Sequence, residues 1–263
     1  MITLIGHGYV AKYISEELIS QGIKFNWTHH TDGIPWDTKF IINAAGFTGV
    51  PNVDACEYAK DKTIQGNVLF PLELERNAKQ REIPVLHITS GCVYTGYVDG
   101  GWLEEDAPNF TFDNASFYSA SKALFQELWS EQFANRSYLF RIRMPFGPDK
   151  DPKNLLTKLT KYDKLIDNIN SLSNVQEVAK AAVHFALYRP KPGIYNAVNP
   201  NGVSTEQIAT LLELDKQWLT PDEFDSITVA PRSNCVLNTD KMQEVYKFKD
   251  SYQSLYQTIA NIV

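Results

Sequence analysis

Cysteine is scarce in this sequence. Cys56, Cys92 and Cys235 are the three cysteines among 263 residues. Their odd number and wide spacing favour free thiols in a reducing cytosol over a disulfide framework. The five histidines, at positions 7, 29, 30, 87 and 184, form no metal-ligand spacing with these cysteines. We therefore expect no metal site.

Long apolar runs and an excess of basic residues are also missing. No run approaches the roughly 18 residues of a membrane-spanning helix. The first ten residues, MITLIGHGYV, lack the basic stretch and apolar core of a signal peptide, so we expect a cytoplasmic protein. The formal net charge of −6 argues against a nucleic-acid partner, but it leaves room for one small anionic ligand.

Apolar side chains are numerous enough for a substantial core. Hydrophobic residues make up 43% of the chain, and the 21% of charged residues are intermixed with them, so disorder is not expected. In the first half, short apolar runs alternate with helical patterns, which predicts right-handed βαβ units and a doubly wound, Rossmann-type parallel α/β sheet. The predicted strands are 2–5, 24–28, 40–43, 84–89 and 138–142. The predicted helices are 10–19, 54–80 with a kink or division at Pro71, and 117–133, and 97–114 is a predicted surface loop.

The pattern changes after about residue 145, where helices dominate. We divide the chain into a Rossmann-type domain, 1–145, and a smaller, mostly helical substrate lobe, 146–263. The predicted helices of this lobe are 154–162, 175–188, 205–214, 239–246 and 251–262, with extended segments at 194–198 and 227–229. The segment between the second strand and the third is short, so one strand–helix unit is expected to be abbreviated.

A glycine turn joins the first strand to the first helix. Gly6 allows the tight turn, Gly8 admits a pyrophosphate, and the small Ala11 lets helix pack on strand. This pattern predicts dinucleotide binding through Gly6, Gly8, Tyr9 and Val10.

The acidic residue that grips a ribose 2′-hydroxyl is missing at the end of the second strand. Trp27, Thr28, His29 and His30 stand there instead. Without a carboxylate a 2′-phosphate is not repelled, which favours NADPH, although no arginine is present to bind it and NADH stays open. The two histidines are equally consistent with a solvated loop.

Tyr118 and Lys122 are four residues apart and share a helix face. A neighbouring ammonium lowers the pKa of a phenol, which makes tyrosine a usable acid or base. Ser90 ends a predicted strand and is placed to orient the phenol. Active sites of doubly wound sheets lie beyond the carboxyl ends of the strands, where the GHG, NAAG and TSGC segments all fall.

These motifs together resemble an extended short-chain dehydrogenase/reductase acting on a nucleotide sugar. The resemblance extends over essentially the whole chain. It is closer to the C-terminal half of plant rhamnose synthases and to stand-alone UDP-4-keto-6-deoxyglucose 3,5-epimerase/4-reductases, in the dTDP-4-dehydrorhamnose reductase superfamily, and giant viruses carry similar enzymes. The strings that carry it are NAAGFTGVPNVDACE, TSGCVY, EEDAPNF, SFYSASKA, RIRMPF, NLLTKLTKY, GIYNAVNP and VAPRSN.

The resemblance implies a bifunctional enzyme that converts UDP-4-keto-6-deoxy-D-glucose to UDP-β-L-rhamnose with NADPH. Cys92 matches the epimerisation base, and Lys158 matches the partner acid, with Lys153 as a second candidate. The alternative for Cys92 is a packing residue, and for Lys158 a solvated lysine on a basic helix face. A 4,6-dehydratase would act upstream, in the host cytoplasm if the source is a virus.

For the reduction, the resemblance assigns Tyr118 as proton donor, Ser90 as a hydrogen-bond partner of the 4-oxygen, and Lys122 as the residue that holds the nicotinamide ribose and lowers the pKa of Tyr118. Further cofactor contacts are expected from Ala44, Ala45 and Gly46. The expected substrate contacts are Arg232 and Arg143 at the diphosphate and Asn43 and Asn67 at cofactor or sugar. An acidic partner for Arg143 and a capping role for either asparagine are the alternatives.

Two rival functions remain at this stage. One is a reductase that depends on a separate epimerase, and the other is a non-catalytic nucleotide-binding regulatory subunit. UDP and dTDP are not distinguished by the sequence. A homodimer formed through the helical regions near 54–80 and 117–133 is an open expectation.

Overall fold

A computed structural model describes residues 1–50 and 52–261. Its twelve strands are β1 Ile2–Ile5, β2 Phe25–Thr28, β3 Phe40–Asn43, β4 Val85–Ser90, β5 Tyr138–Ile142, β6 Pro145–Phe146, β7 Lys164–Leu165, β8 Ile169–Asn170, β9 Ser173–Asn174, β10 Gly193–Asn196, β11 Val203–Ser204 and β12 Gln217–Trp218. The helices within these described residues are α1 Tyr9–Ser20, α2 Ala55–Tyr58, α3 Lys60–Ile64, α4 Phe70–Gln80, α5 Phe117–Phe133, α6 Leu155–Lys161, α7 Val175–Tyr188, α8 Thr205–Leu211, α9 Pro221–Ile227, α10 Asp240–Val245 and α11 Ser251–Ala260.

Six strands form one parallel sheet in the order β10-β5-β4-β3-β1-β2. The strands β1 and β3 are buried along their whole length, as expected for central strands covered on both faces. Helices α1 and α7 pack on one face, and α4 and α5 pack on the other. The predicted doubly wound Rossmann-type sheet is confirmed.

The strand order reverses at β1: β2 lies on one side of it, and β3, β4, β5 and β10 follow on the other side. Residues 29–39 connect β2 to β3 without a helix, so the predicted abbreviation of one strand–helix unit is confirmed. Ligands of doubly wound folds bind where the strand order reverses. The glycine turn after β1 and the NAAG segment after β3 meet at this point.

The helical region predicted at 54–80 is broken once, at Ala59, and contains one π-helical turn. The backbone leaves helical geometry at Ala59, with φ −120° and ψ 48°, between α2 and α3. A π-helical turn, Gln65–Leu69, then leads into α4, whose first turn contains Pro71. The backbone stays helical from Lys60 to Gln80, so Pro71 does not divide the helix; the change from π-helical to α-helical geometry ahead of it is the irregularity present there. The break at Ala59 was not predicted.

The predicted C-terminal lobe does not separate cleanly from the sheet domain. Three two-stranded ribbons and a second core from α6, α8 and α11 lie outside the central sheet. However, α7 packs against α1, and β10 pairs with β5 as the last strand of the central sheet. A cut at residue 145 therefore removes two elements of the Rossmann layer.

The extended segment predicted at 227–229 is wrong. Ile227 ends α9, a helix that begins at Pro221 behind a capping box formed by Thr220 and Glu223. This helix buries no side chain, so its sequence has no apolar period to reveal it. The last predicted helix is present as α11, and its predicted end at residue 262 lies outside the described residues.

The predicted surface loop at 97–114 contains no helix and no strand of its own, and it is fixed by a bridge between Trp102 and Leu237. Within the described part of the chain, no helix has the length and apolarity needed to cross a bilayer.

Candidate active site

The glycine turn after β1 is closely packed on one side and open on the other. Gly6 has φ +103°, and a Cβ there would lie 2.7 Å from the backbone nitrogen of Ala45. A Cβ on Gly8 would meet nothing within 4 Å, and no side chain caps α1 at this residue. The first N–H groups of α1 are thus available to an anion, so the turn fits a dinucleotide pyrophosphate.

Tyr9 and Val10 form the first turn of α1, but their side chains face the core. Tyr9 is 8% exposed and packs edge-on against Tyr13 with ring centroids 5.5 Å apart. Burial raises the pKa of Tyr9, and the Asp149 carboxylate adds to the effect. Val10 packs against the same core cluster. Any contact of these two residues with a cofactor is therefore through backbone N–H groups.

The NAAG segment is held by a buried asparagine. The Ala44 N–H donates to the Ile5 carbonyl at 2.9 Å, and the Ala45 N–H donates to Asn43 Oδ1 at 3.1 Å. The Asn43 amide lies 3.0 Å from His87 Nδ1 and is 2% exposed. The structure thus places Asn43 as the support of this segment, which is the capping alternative, rather than at an open surface.

Asn67 has a similar position in the π-helical turn. It is fully buried, and its amide accepts from the Phe47 N–H and donates to the Phe47 carbonyl, both at 2.9 Å. It also donates to Ser121 Oγ at 3.1 Å. A Cβ on Gly46 would be 3.3 Å from both Asn67 Oδ1 and Lys122 Nζ, so this asparagine, the predicted cofactor loop and α5 meet at one place.

Tyr118 and Lys122 lie together at the start of α5. Lys122 Nζ is 5.9 Å from the Tyr118 ring centroid, and Lys122 is 7% exposed. Burial lowers the pKa of Lys122 to about 8. Burial raises the pKa of Tyr118, negative charge on Cys92 raises it further, and hydrogen bonding to Ser90 opposes both effects. The lowered tyrosine pKa expected from the sequence is not found, because burial outweighs the hydrogen bond with Ser90. At neutral pH Tyr118 therefore keeps its proton and can donate it.

Ser90 and Cys92 are joined at the end of β4. The Cys92 N–H donates to Ser90 Oγ at 3.1 Å, which fixes the turn between them. Cys92 is partly exposed, whereas Cys56 and Cys235 are buried. Burial raises the pKa of both buried thiols. Cys92 is therefore the accessible thiol of the three.

The two candidate lysines differ in what their ammonium groups contact. Lys153 Nζ donates to Thr48 Oγ1 at 2.9 Å and to the Gly49 carbonyl at 3.0 Å. Lys158 lies on α6, behind the buried N-cap Asn154. Burial lowers the pKa of Lys158, the Lys153 ammonium lowers it further, and Asp151 and Cys92 oppose the shift. The geometry ties Lys153 to a loop and leaves Lys158 as a partly buried ammonium whose pKa responds to charge on Cys92.

The two predicted diphosphate arginines have partners of their own. Arg232 forms a bidentate ion pair with Asp54, with both N–O distances 2.7 Å. Arg143 is 1% exposed and contacts Cys92 Sγ at 3.4 Å. Neither contact could be predicted from the sequence, because each joins segments distant along the chain.

A stack of three rings was missed by the sequence reading. His7 stacks on Trp27 with centroids 4.9 Å apart and on His29 with centroids 4.1 Å apart. Trp27 Nε1 also donates to the Gly6 carbonyl at 2.7 Å. The parallel register that pairs Ile5 with Thr28 brings these residues together. The signal was present as the GHG and WTHH segments, but only the strand pairing joins them.

The sheet order, the glycine turn and the grouping of Ser90, Tyr118 and Lys122 define the class as the extended short-chain dehydrogenases/reductases. A family model described as RmlD substrate binding domain matches residues 34–260, and the chain belongs to this family.

Two curated relatives show how this family is used. The chain is 36% identical over 231 residues to the bifunctional dTDP-4-dehydrorhamnose 3,5-epimerase/dTDP-4-dehydrorhamnose reductase of Arabidopsis thaliana, covering 80% of this chain and 74% of that protein. It is also 36% identical over 231 residues to a trifunctional UDP-glucose 4,6-dehydratase/UDP-4-keto-6-deoxy-D-glucose 3,5-epimerase/UDP-4-keto-L-rhamnose-reductase of the same plant. That match covers 80% of this chain and 33% of the relative, so the chain spans a third of its length.

Solved structures share the fold over the whole chain. The UDP-rhamnose synthase of Acanthamoeba polyphaga mimivirus superposes with a TM-score of 0.90 at 24% identity, covering 99% of each chain. The dTDP-4-dehydrorhamnose reductase of Bacillus anthracis, solved in complex with NADP, has a TM-score of 0.78 at 16% identity and covers 98% of each chain.

Proposed function

We propose that this protein is a bifunctional 3,5-epimerase/4-reductase that converts UDP-4-keto-6-deoxy-D-glucose to UDP-β-L-rhamnose with NADPH. The observation that carries the proposal is the turn from Ser90 to Cys92. In this turn the Cys92 backbone N–H donates to Ser90 Oγ at 3.1 Å, so a partly exposed thiol lies two residues after the serine that would bind the sugar 4-oxygen. A reductase without epimerase activity has no use for a thiol at this place.

The cofactor site is assembled from the two loops at the strand reversal. Gly6, Gly8 and the first N–H groups of α1 would hold the pyrophosphate, and Ala44, Ala45 and Gly46 would line the path towards Lys122. NADPH is preferred because none of the three stacked rings of His7, Trp27 and His29 is a carboxylate, and the nearby Asp32 carboxylate already accepts from the His29 N–H at 2.8 Å. When bound, the cofactor supplies the hydride that reduces C4.

Epimerisation precedes reduction in this proposal. The 4-keto group acidifies the protons at C3 and C5, so the Cys92 thiolate can remove one and leave an enolate. Lys158 would return a proton from the opposite face, which inverts the centre. The lowered pKa of Lys158 suits this role because a partly desolvated ammonium gives up its proton more readily.

Reduction then uses the residues at the start of α5. The protonated Tyr118 phenol would donate to the oxygen at C4, while Ser90 hydrogen-bonds the same oxygen. Lys122 would bind the cofactor ribose and stabilise the phenolate that forms. The raised pKa of Tyr118 keeps the proton in place until the developing alkoxide demands it.

The substrate has to be made by a 4,6-dehydratase, because a 4-keto-6-deoxy sugar is the product of that reaction. The trifunctional Arabidopsis relative carries this activity in its name. We propose that Arg232 contacts the diphosphate. UDP is favoured over dTDP only through the resemblance.

The test separates epimerisation from reduction. Purified protein is incubated with UDP-4-keto-6-deoxyglucose in heavy water without NADPH, and deuterium at C3 and C5 is followed by NMR. We expect uptake by the native protein, uptake at the native rate by Cys56→Ala, and at least a hundredfold slower uptake by Cys92→Ala. NADPH is then added, and UDP-rhamnose is expected from the native protein.

If deuterium uptake were no faster than in an enzyme-free control, the protein would have no epimerase activity. If NADPH were still oxidised with UDP-4-keto-rhamnose made by a separate epimerase, the protein would be a reductase alone. No oxidation with either sugar would indicate the non-catalytic regulatory role.

A further inference from the structure

Arg143 is a buried cation without a carboxylate partner. It is 1% exposed, and it forms no ion pair with any carboxylate among residues 1–50 and 52–261. Its Nη1 lies 2.7 Å from Ser233 Oγ, 3.3 Å from the Gly91 carbonyl and 3.4 Å from Cys92 Sγ. Its Nη2 donates to the Ser233 carbonyl at 3.1 Å and to Asn170. Every partner except the thiol is a group that cannot become an anion at neutral pH.

A buried charge without an opposite charge is unfavourable, because the low-dielectric interior does not replace its hydration. The same low dielectric strengthens attraction to an anion in direct contact. At Arg143 the group that can provide this anion is the sulfur of Cys92. Ionisation of the thiol would convert an uncompensated guanidinium into a charge-assisted contact.

Gly91 makes the approach of this arginine possible. A Cβ at Gly91 would lie 2.9 Å from Arg143 Cγ and 2.7 Å from Leu237 Cδ1. The residue between Ser90 and Cys92 must therefore lack a side chain for the arginine stem to pass beneath the turn. The glycine of the TSGC segment thus has a role in the environment of the thiol as well as in the turn.

We propose that Arg143 is a positioning residue that holds Cys92 as a thiolate and keeps its sulfur fixed for proton abstraction. The inference rests on the proposed function for its purpose, since only the epimerase step uses the thiolate. It replaces the diphosphate contact expected of Arg143 from the sequence. Cys235 lies in the same region, with Sγ 3.8 Å from the Gly91 carbonyl, but burial raises the pKa of its thiol despite Arg143. Cys235 is therefore an internal comparison.

The direct test measures thiolate reactivity in the native protein. Alkylation by iodoacetamide is followed at each cysteine by mass spectrometry between pH 5.5 and pH 10. We expect Cys92 to react about tenfold faster than glutathione at pH 6.5, with a flatter pH dependence, because more of it is ionised. Cys235 is expected to stay unreacted. A Cys92 profile that follows glutathione, or falls below it, would overturn the inference even if no variant folds.

The second arm uses variants matched in charge. Arg143→Gln is expected to slow Cys92 alkylation about tenfold at pH 6.5, and the native and variant rates should converge near pH 10, where both thiols are ionised. Arg143→Lys keeps the charge and should recover at least part of the loss. Arg76→Gln, which removes an exposed arginine on α4, should leave alkylation unchanged. Equal profiles for native protein and a folded Arg143→Gln would contradict the inference.

The deuterium assay distinguishes this failure from failure of the proposed function. Suppose that the reactivity of Cys92 depends on Arg143 but the protein incorporates no deuterium. The interaction between Arg143 and the thiolate would then be supported, and the epimerase activity would be excluded. If Arg143→Gln took up deuterium at the native rate between pH 6 and pH 9, the epimerase activity would be supported and the role of Arg143 would be overturned.

Discussion

Arg232 and Asp54 are joined by two hydrogen bonds of 2.7 Å, across 178 positions of sequence. The pair links the segment before Cys235 to the start of α2. Both side chains remain partly exposed, at 25% and 20%. A guanidinium in this setting can exchange a carboxylate for a phosphate, because both are bound by the same planar fork.

The first prediction concerns this pair. If Arg232 also binds the substrate diphosphate, Arg232→Ala raises KM for the UDP-sugar at least tenfold, whereas Asp54→Asn leaves KM equal to the native value or lower. Steady-state kinetics with NADPH oxidation measures both. A purely structural pair would instead give two variants with the same loss of stability, within about 1 kcal/mol, and no difference in KM.

A second prediction uses the two glycines of the turn as a matched pair. Gly6→Ala should lower the free energy of unfolding by more than about 2 kcal/mol, because the new Cβ meets the Ala45 backbone at 2.7 Å and the residue has φ +103°. Gly8→Ala should melt like the native protein, since its φ is −82° and nothing lies within 4 Å. NADPH titration should nonetheless show weaker binding to Gly8→Ala, as its methyl occupies the space meant for pyrophosphate. If Gly8→Ala bound NADPH with native affinity, the pyrophosphate would not bind at this turn.

The third prediction follows from the lowered pKa of Lys122. At a pH between the native pKa of Lys122, about 8, and its ordinary pKa of 10.5, this lysine is protonated in the unfolded chain and mostly deprotonated in the native protein. The contribution of Lys122 to the free energy of unfolding therefore rises with pH across this window, by up to about 3 kcal/mol. Denaturant unfolding of native protein and of Lys122→Met, at intervals from pH 7.5 to pH 10, isolates the contribution. A difference that is constant or falls with pH would show that the native ammonium is not destabilised.

The fourth prediction addresses the choice of cofactor at the ring stack. His29→Asp places a carboxylate beside His7 and should reduce the preference for NADPH over NADH about tenfold or more, through repulsion of the 2′-phosphate. His29→Asn removes the ring without adding charge and serves as the control. The ratio of kcat/KM for the two cofactors gives the answer. Equal ratios for the Asp and Asn variants would mean that the 2′-phosphate lies away from this stack.

Features carried by short stretches of sequence could be predicted. Local periodicity and turn chemistry were enough to predict three of these features. They are the glycine turn, the helix that carries Tyr118 and Lys122, and the strand before Ser90. The parallel sheet followed from their alternation. The missing unit between β2 and β3 followed from length alone.

Partners of polar side chains could not be predicted in this way. Asn43 ends β3 and Arg143 directly follows β5, and nothing nearby in sequence says that one contacts His87 and the other Cys92. Those contacts depend on strand pairing and on segments far along the chain. For the same reason the sequence reading assigned α7 and β10 to the second lobe, although their apolar faces are needed by the central sheet.

The place of α7 and β10 has a consequence for how the protein is made. The apolar face of α1 is covered by a helix that ends at Tyr188, and the sheet gains its final strand at Asn196. When residues 1–145 have left the ribosome, the apolar face of α1 therefore still lacks the helix that covers it, and β5 lacks its partner strand β10. We expect the fragment 1–145 to lack a cooperative melting transition and a chain of 1–200 to gain the central sheet, as measured by circular dichroism. The nascent protein must keep its first strands from aggregating until about three quarters of it has been synthesised.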